Sequence, residues 1–214
     1  MLLKTLTLVT ISGSGGRWWS TSNPLAQAGE SVMSTEDIAA LEARVYAYKG
    51  RECGCSTAAD AVNKPMIRQW CEVMGNTNPD HLDEDRAASG NRGELVAPAT
   101  MLFVWNQAGY SVASKGRPKD PQVELIDLFN AHGYLGVVAT DTTQEYYREL
   151  RLGDTITART VIDNISPRKS TGLGEGYFYE TITDFSDQDG NLVGRQTFKV
   201  LKFKPKAGAG EGTQ

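Results

Sequence analysis

Two textures divide the chain. Up to about residue 133 the apolar positions recur every three or four residues, the period of a helix with one buried face. From residue 134 they crowd into short runs of Val, Ile, Thr, Tyr and Phe, the composition of strands. Ser34 with Asp37 three residues on predicts a capped helix start; Ile38, Leu41, Val45 and Tyr48 give its apolar stripe and Gly50 its end. Residues 51–63 are small and polar and read as a loop leading to Asn63, a good N-cap before Pro65. Met66, Ile67, Trp70, Val73 and Met74 then predict a helix that stops at Gly75. A polar loop from Asn76 to His81 follows, and a charged segment to Gly93. Residues 98–109 are almost wholly apolar, which predicts a helix buried on all sides, with Trp105 in the core. Beyond Gly109 come a loop with two prolines and an insertion-like helix from Asp120-Pro121 to near Gly133, carrying Val123, Leu125, Ile126 and Phe129.

The strand-like runs are residues 134–140, 143–150, 155–165, 176–185 and 192–203. Between them, Arg151-Leu152-Gly153-Asp154 and Asp189-Gly190-Asn191 read as turns. Gly172, Gly174 and Gly176 lack the strand-then-helix setting of a phosphate loop and read as a flexible connection. Tyr177 and Phe178, like Val200 and Leu201, are neighbours on opposite faces, which predicts a sheet covered on both sides. Helices early and strands late make the class α+β, with an antiparallel sheet wrapped around one long buried helix at residues 98–109. One domain is expected over residues 34–205, with a Gly-rich flexible tail at 206–214. Residues 1–33 begin apolar, but threonines break the run and no clear cleavage site follows. They read as a disordered extension or an early start codon rather than a secretory leader.

Composition narrows the partners. The 214 residues carry a net charge of −4 and no basic patch, so nucleic acid is not expected. No apolar run approaches the roughly 20 residues that span a bilayer. Cys53, Cys55 and Cys71 are an odd set in a chain too large to need disulfide staples. Cys53-Gly54-Cys55 is also too tight for zinc, with no histidine near. Reduced thiols in a cytoplasmic protein, with no metal and no cofactor, are the expectation. Of the two histidines, His132 sits before Gly133 and reads as a cap on helix carbonyls. Trp70 falls on an apolar helical stripe and reads as packing.

Gly75-Asn76-Thr77-Asn78-Pro79-Asp80-His81, followed by Asp83 and Ala87, resembles a known signature. It is the Gly-Asp-x-Asn-Pro-x-His motif of R-specific enoyl-CoA hydratases and MaoC-like dehydratases. Val96-Ala97-Pro98-Ala99 resembles the segment leading into that family's central helix. Tyr146-Tyr147-Arg148-Glu149-Leu150-Arg151-Leu152-Gly153-Asp154 resembles its strand-and-turn motif. The ending from Gly174 to Pro205 is similar to subunits of actinobacterial two-subunit hydratases acting on steroid side-chain acyl-CoA thioesters. The resemblance covers about residues 34–205. It implies a hot-dog fold, an acyl-CoA or acyl-carrier-protein thioester as substrate, and a second hot-dog chain, identical or different, completing the site.

Hydration of an enoyl thioester needs a base to take a proton from water as oxygen attacks C3, and an acid to protonate C2. It also needs N–H donors facing the enolate-like oxygen. The resemblance assigns proton handling to His81, loop bracing to Asn78, and the N–H donor to Ala99, since Pro98 has none. The family's aspartate position holds Asn76, and an amide orients water but exchanges no proton near neutral pH. The chain is therefore expected to be a hydratase or dehydratase subunit working with a catalytic partner. The alternatives are an autonomous hydratase using His81, a non-catalytic acyl-CoA-binding or scaffold protein, and, more weakly, a hot-dog thioesterase. Asp80 and Asp83 read as solvated or capping residues rather than replacements for the missing acid, and Asn78-Pro79 alone is an ordinary turn.

Overall fold

A computed structural model describes residues 34–110 and 119–206. The expected N-terminal extension, most of the two-proline loop and all of the C-terminal tail but Lys206 lie outside the described residues. The helices come first: α1 (Thr35–Tyr46), then strand β1 (Glu52–Thr57), α2 (Lys64–Met74), α3 (Pro79–Leu82) and α4 (Glu84–Ser89). Strand β2 (Val96–Ala97), two 3-10 turns (Ala99–Met101 and Val104–Asn106) and α5 (Pro121–Ala131) follow. The strands are β3 (Gly136–Tyr146), β4 (Leu150–Arg151), β5 (Thr157–Ile165), β6 (Lys169–Ser170), β7 (Gly174–Ser186) and β8 (Leu192–Pro205). The main sheet is antiparallel in the order β1-β5-β7-β8-β3, with β6 added to β7, while β2 and β4 pair separately.

The caps read from sequence form. The Ser34 hydroxyl accepts the Asp37 N–H at 3.1 Å, and the Asp37 carboxylate accepts the Ser34 N–H, closing a capping box. Asn63 Oδ1 accepts the Met66 N–H at 3.1 Å, and Gly75 ends α2 at φ 64°, a backbone region that favours glycine. Asp120 accepts two N–H groups at the start of α5.

One face of the sheet carries the core. Leu41 and Val45 of α1 and Leu125, Leu128 and Phe129 of α5 pack against Ile162, Tyr177, Tyr179 and Val200. Towards the other end, Ile67 and Cys71 of α2 join Met101, Leu102 and Trp105 against Ile156, Ala158, Phe185 and Val193. From Tyr177 onward β7 alternates buried and half-buried positions. The outer face is therefore not covered as expected: its residues are half exposed. Leu201 is the exception, buried between Phe178 and Val138 on the neighbouring strands.

Several elements differ from the sequence reading. Residues 51–63 contain β1, an edge strand that pairs only with β5 and exposes nearly every side chain. With neither face buried it leaves no alternation to detect. The runs 134–140 and 143–150 are mostly one strand, β3, whose register shifts between Ala139 and Asp141, where the pattern breaks. Gly174 and Gly176 lie within β7, where an added Cβ would come within 1.8 and 2.1 Å of the Lys204 and Lys202 carbonyl oxygens. They permit close strand approach rather than flexibility. On α2, Met66, Ile67 and Trp70 turn inward, whereas Val73 and Met74 are 84% and 61% exposed.

The largest departure is at residues 98–109, where the two 3-10 turns replace the expected α-helix. Met101, Leu102 and Trp105 are buried, but Phe103 is 46% exposed, so the segment is covered on one side only. Asn106 Nδ2 donates to the carbonyls of Ser56 and Ile156, both at 3.0 Å, tying the chain to β1 and the start of β5 instead of continuing a helix. The helix after this segment, α5, packs one face against the sheet through Leu125, Leu128 and Phe129, beside α1.

Candidate active site

The loop after α2 is organised by its own side chains. The Asn76 N–H bonds back to the Cys71 carbonyl at 2.8 Å, completing the turn that Gly75 begins. Asn76 Oδ1 accepts the Asn78 N–H at 3.0 Å, and Asn78 Oδ1 accepts the Asp80 N–H at 3.1 Å, capping α3 with Pro79 in its first turn. That one-turn helix delivers His81, which is 8% exposed.

His81 Nδ1 lies 2.8 Å from the Val96 carbonyl oxygen on β2. A carbonyl only accepts, so Nδ1 carries the proton and, in the neutral ring, Nε2 presents a lone pair. Asn78 Nδ2 stands 3.5 Å from Nε2. The two neighbouring aspartates are otherwise engaged. Asp83 accepts the Arg86 N–H at 3.0 Å and caps α4, while Asp80 pairs with Arg92, which also donates to Glu149 at 2.5 Å.

A cavity of about 660 Å³ opens beside this loop, lined by α2, the loop, α3 and Leu95. Asn76 and His81 both line it; Asn78 stands behind His81 and, like Ala99, is not among its lining residues. Ala99 opens a 3-10 turn in which the Met101 and Leu102 N–H groups bond back to Pro98 and Ala99. Its own N–H is left at the turn's open end. Two of the four expected site residues, Asn76 and His81, thus line the cavity, and Asn78 and Ala99 do not.

The wall holds residues that the sequence reading did not assign to a site: Pro65, Cys71, Leu82 and Leu95. Cys71 follows Ile67 by four residues on α2, so helical spacing was the available signal. Burial pushes its thiol up from the ordinary range, keeping it neutral. The carboxylates lining the cavity, Glu72 and Glu84, are ion-paired with Arg68 and Lys64. His81 is thus the one imidazole among the cavity's lining residues, next to the amides of Asn76 and Asn78. Elsewhere, Cys53 packs towards the α1–α5 core while Cys55 is exposed opposite Arg159, so the two thiols do not form a pair site. His132 Nδ1 donates to the Leu128 carbonyl at 2.8 Å, the capping role read from sequence. Among the described residues no three His, Cys, Asp or Glu side chains converge as metal ligands.

A family model described as the FAS1-like, dehydratase domain region matches residues 47–196. The chain belongs to this family. The match runs from the end of α1 into β8 and takes in the whole of the site loop, in agreement with the MaoC-type resemblance. A protein of Thermomonospora curvata named "Probable enoyl-CoA hydratase alpha subunit" is 43% identical over 176 residues, covering 81% of this chain and 54% of that protein. The Mycobacterium tuberculosis 3-oxo-4,17-pregnadiene-20-carboxyl-CoA hydratase alpha subunit is 37% identical over 151 residues, 69% of this chain and 47% of that one. The chain spans about half the length of these curated relatives.

Among solved structures, a chain of the ChsH1–ChsH2 complex from Mycobacterium tuberculosis superposes with TM-score 0.69 and 34% identity. The superposition covers 80% of this chain and 94% of that chain. A MaoC-like dehydratase superposes at TM-score 0.53 and 18% identity over 75% of this chain and 43% of that chain, a likeness of fold alone. The chain therefore has the hot-dog fold that the resemblance implies, an antiparallel sheet with helices packed on one face. Among the described residues no helix is long and apolar enough to cross a membrane.

Proposed function

We propose that this chain is a subunit of an acyl-thioester hydratase or dehydratase, and that it contributes an incomplete half-site which a catalytic hot-dog partner completes. The observation that carries the reading is the pairing of His81 with Asn76 at the cavity, where the family's aspartate would stand. His81, held by the Val96 carbonyl with Nε2 unprotonated, can accept a hydrogen bond from water or take up a proton. Asn76 can orient a water but cannot supply the second proton transfer. Asn78 braces the loop, and the free end of the turn at Ala99 offers an N–H to a developing oxyanion across the junction with the partner. The relatives' names support the reaction class, and a two-protein complex among the structural relatives supports the partner.

The outer edge of the sheet supports the partner as well. β3 is an 11-residue terminal strand of the sheet, with Val137 64% exposed and Leu135 and Tyr147 exposed at its two ends. The start of this unpaired edge, Gly136–Ala139, is apolar and could pair with another chain.

Because the chain has only two histidines, imidazole NMR resonances read the site directly. Titration with an enoyl-CoA is expected to shift the His81 signals saturably and leave those of His132 in place. Unmoved His81 signals, or equal shifts in both rings, would rule out thioester binding at this cavity.

A further inference from the structure

The cavity changes character with depth, and that gradient bears on which part of a thioester lies where. Its rim carries Lys64 and Arg68, with side chains 51% and 60% exposed. Its wall ends on Cys71 and Leu95, 1% and 6% exposed, both members of the larger core cluster. Asn76 and His81 line the same space. A thiol kept neutral by burial behaves as a small apolar surface. An amphipathic ligand whose polar end stays with the charged rim therefore has one favourable orientation, with its hydrocarbon end towards Cys71 and Leu95.

We propose that Cys71 and Leu95 form the floor that receives the acyl chain and thereby set which acyl lengths this subunit accepts. The inference rests on the acyl-thioester reading above. Cys71 is a small side chain on the cavity wall, so a larger apolar residue in its place would extend into the cavity. Leu95 closes the same floor from the segment just before β2. The two positions therefore gauge the chain in opposite senses: enlarging residue 71 shortens the accepted acyl group, and trimming residue 95 lengthens it. Neither residue handles a proton, so both act on specificity and not on chemistry.

The test is a binding series on the full chain with free CoA and with enoyl-CoA esters from short to long. Cys71→Leu is expected to weaken the long esters by about tenfold or more, the scale of a methylene misfit in an apolar pocket, while short esters and free CoA bind as before. Leu95→Ala is expected to shift the preference towards longer esters. A third measurement needs no substitution and so survives a variant that fails to fold. Long acyl-CoA should slow modification of Cys71 by a small neutral thiol reagent, followed by peptide mass spectrometry, whereas free CoA should not; exposed Cys55 should react equally in both. If esters bind the wild type but neither variant moves the length profile and Cys71 is not protected, the floor assignment is wrong and the proposed function stands. If no ester binds at all, the acyl-thioester reading itself fails and the floor assignment falls with it.

Discussion

At the scale of single residues, the site differs from an intact signature by one atom type, the amide nitrogen of Asn76 in place of a carboxylate oxygen. The loop geometry says how that difference can be reversed. Asn76 uses Oδ1 to accept the Asn78 N–H, a bond that either carboxylate oxygen of an aspartate would keep. Asn76→Asp should therefore preserve the turn while restoring a second proton-handling group beside His81. A positioned general acid or base is typically worth ~10²–10⁴-fold. The expected result is that Asn76→Asp gains hydratase activity over the wild-type chain, followed by loss of enoyl-CoA absorbance, and that adding His81→Ala removes the gain. A folded Asn76→Asp protein with no gain would mean that more than the carboxylate separates this site from a working one. His81 and Asn76 were legible because the Asn-Pro-x-His spacing survives around them. The partner of Nδ1 was not, since Val96 lies 15 residues further on and contributes only a backbone carbonyl.

At the scale of elements, helix ends were legible and covered surfaces were not. Ser34, Asn63, Gly75 and Asp120 mark their boundaries through local hydrogen bonds, which depend on neighbours in sequence. Residues 98–109 failed for the opposite reason. An all-apolar run reports burial but not the backbone that achieves it, and here tertiary bonds from Asn106 fix two short turns. β1 was missed because Cys-Gly-Cys-Ser-Thr offers no buried face.

The Arg148-to-Asp154 motif was legible as a turn, and the structure gives it a load. Arg148 donates to Asp154 at 2.7 Å and to Asp187 at 2.9 Å, joining the β3–β4 corner to the β7–β8 hairpin. The Arg148 guanidinium, helped by N–H groups of Asn191 and Asp189, lowers the Asp187 carboxyl to about 2 from an ordinary 3.8. A folded-state value below the unfolded one adds stability that is present above pH ~4 and lost as pH falls towards 2. Thermal melts should therefore show Asp187→Asn less stable at neutral pH, by ~1–3 kcal/mol, the cost of leaving charged donors short of an acceptor. They should also show the variant losing less than the wild type between pH 4 and 2. Parallel acid curves for the two proteins would contradict the clamp.

At the scale of the whole molecule, large apolar side chains stand exposed on several elements. Val73, Met74 and Leu82 lie on α2 and α3 near the cavity, Phe103 on the turn segment, and Val137 on the terminal strand. The proposed function has the chain hold a thioester in an incomplete site which a second hot dog completes. Its most direct test is co-purification with a hot-dog protein carrying an intact Gly-Asp-x-Asn-Pro-x-His motif, followed by a hydratase assay of each chain alone and of the pair. Little or no turnover is expected from this chain alone and robust turnover from the complex, the bulk of it lost when the partner's motif aspartate is replaced by asparagine. Full activity of this chain without a partner, abolished by His81→Ala, would contradict it.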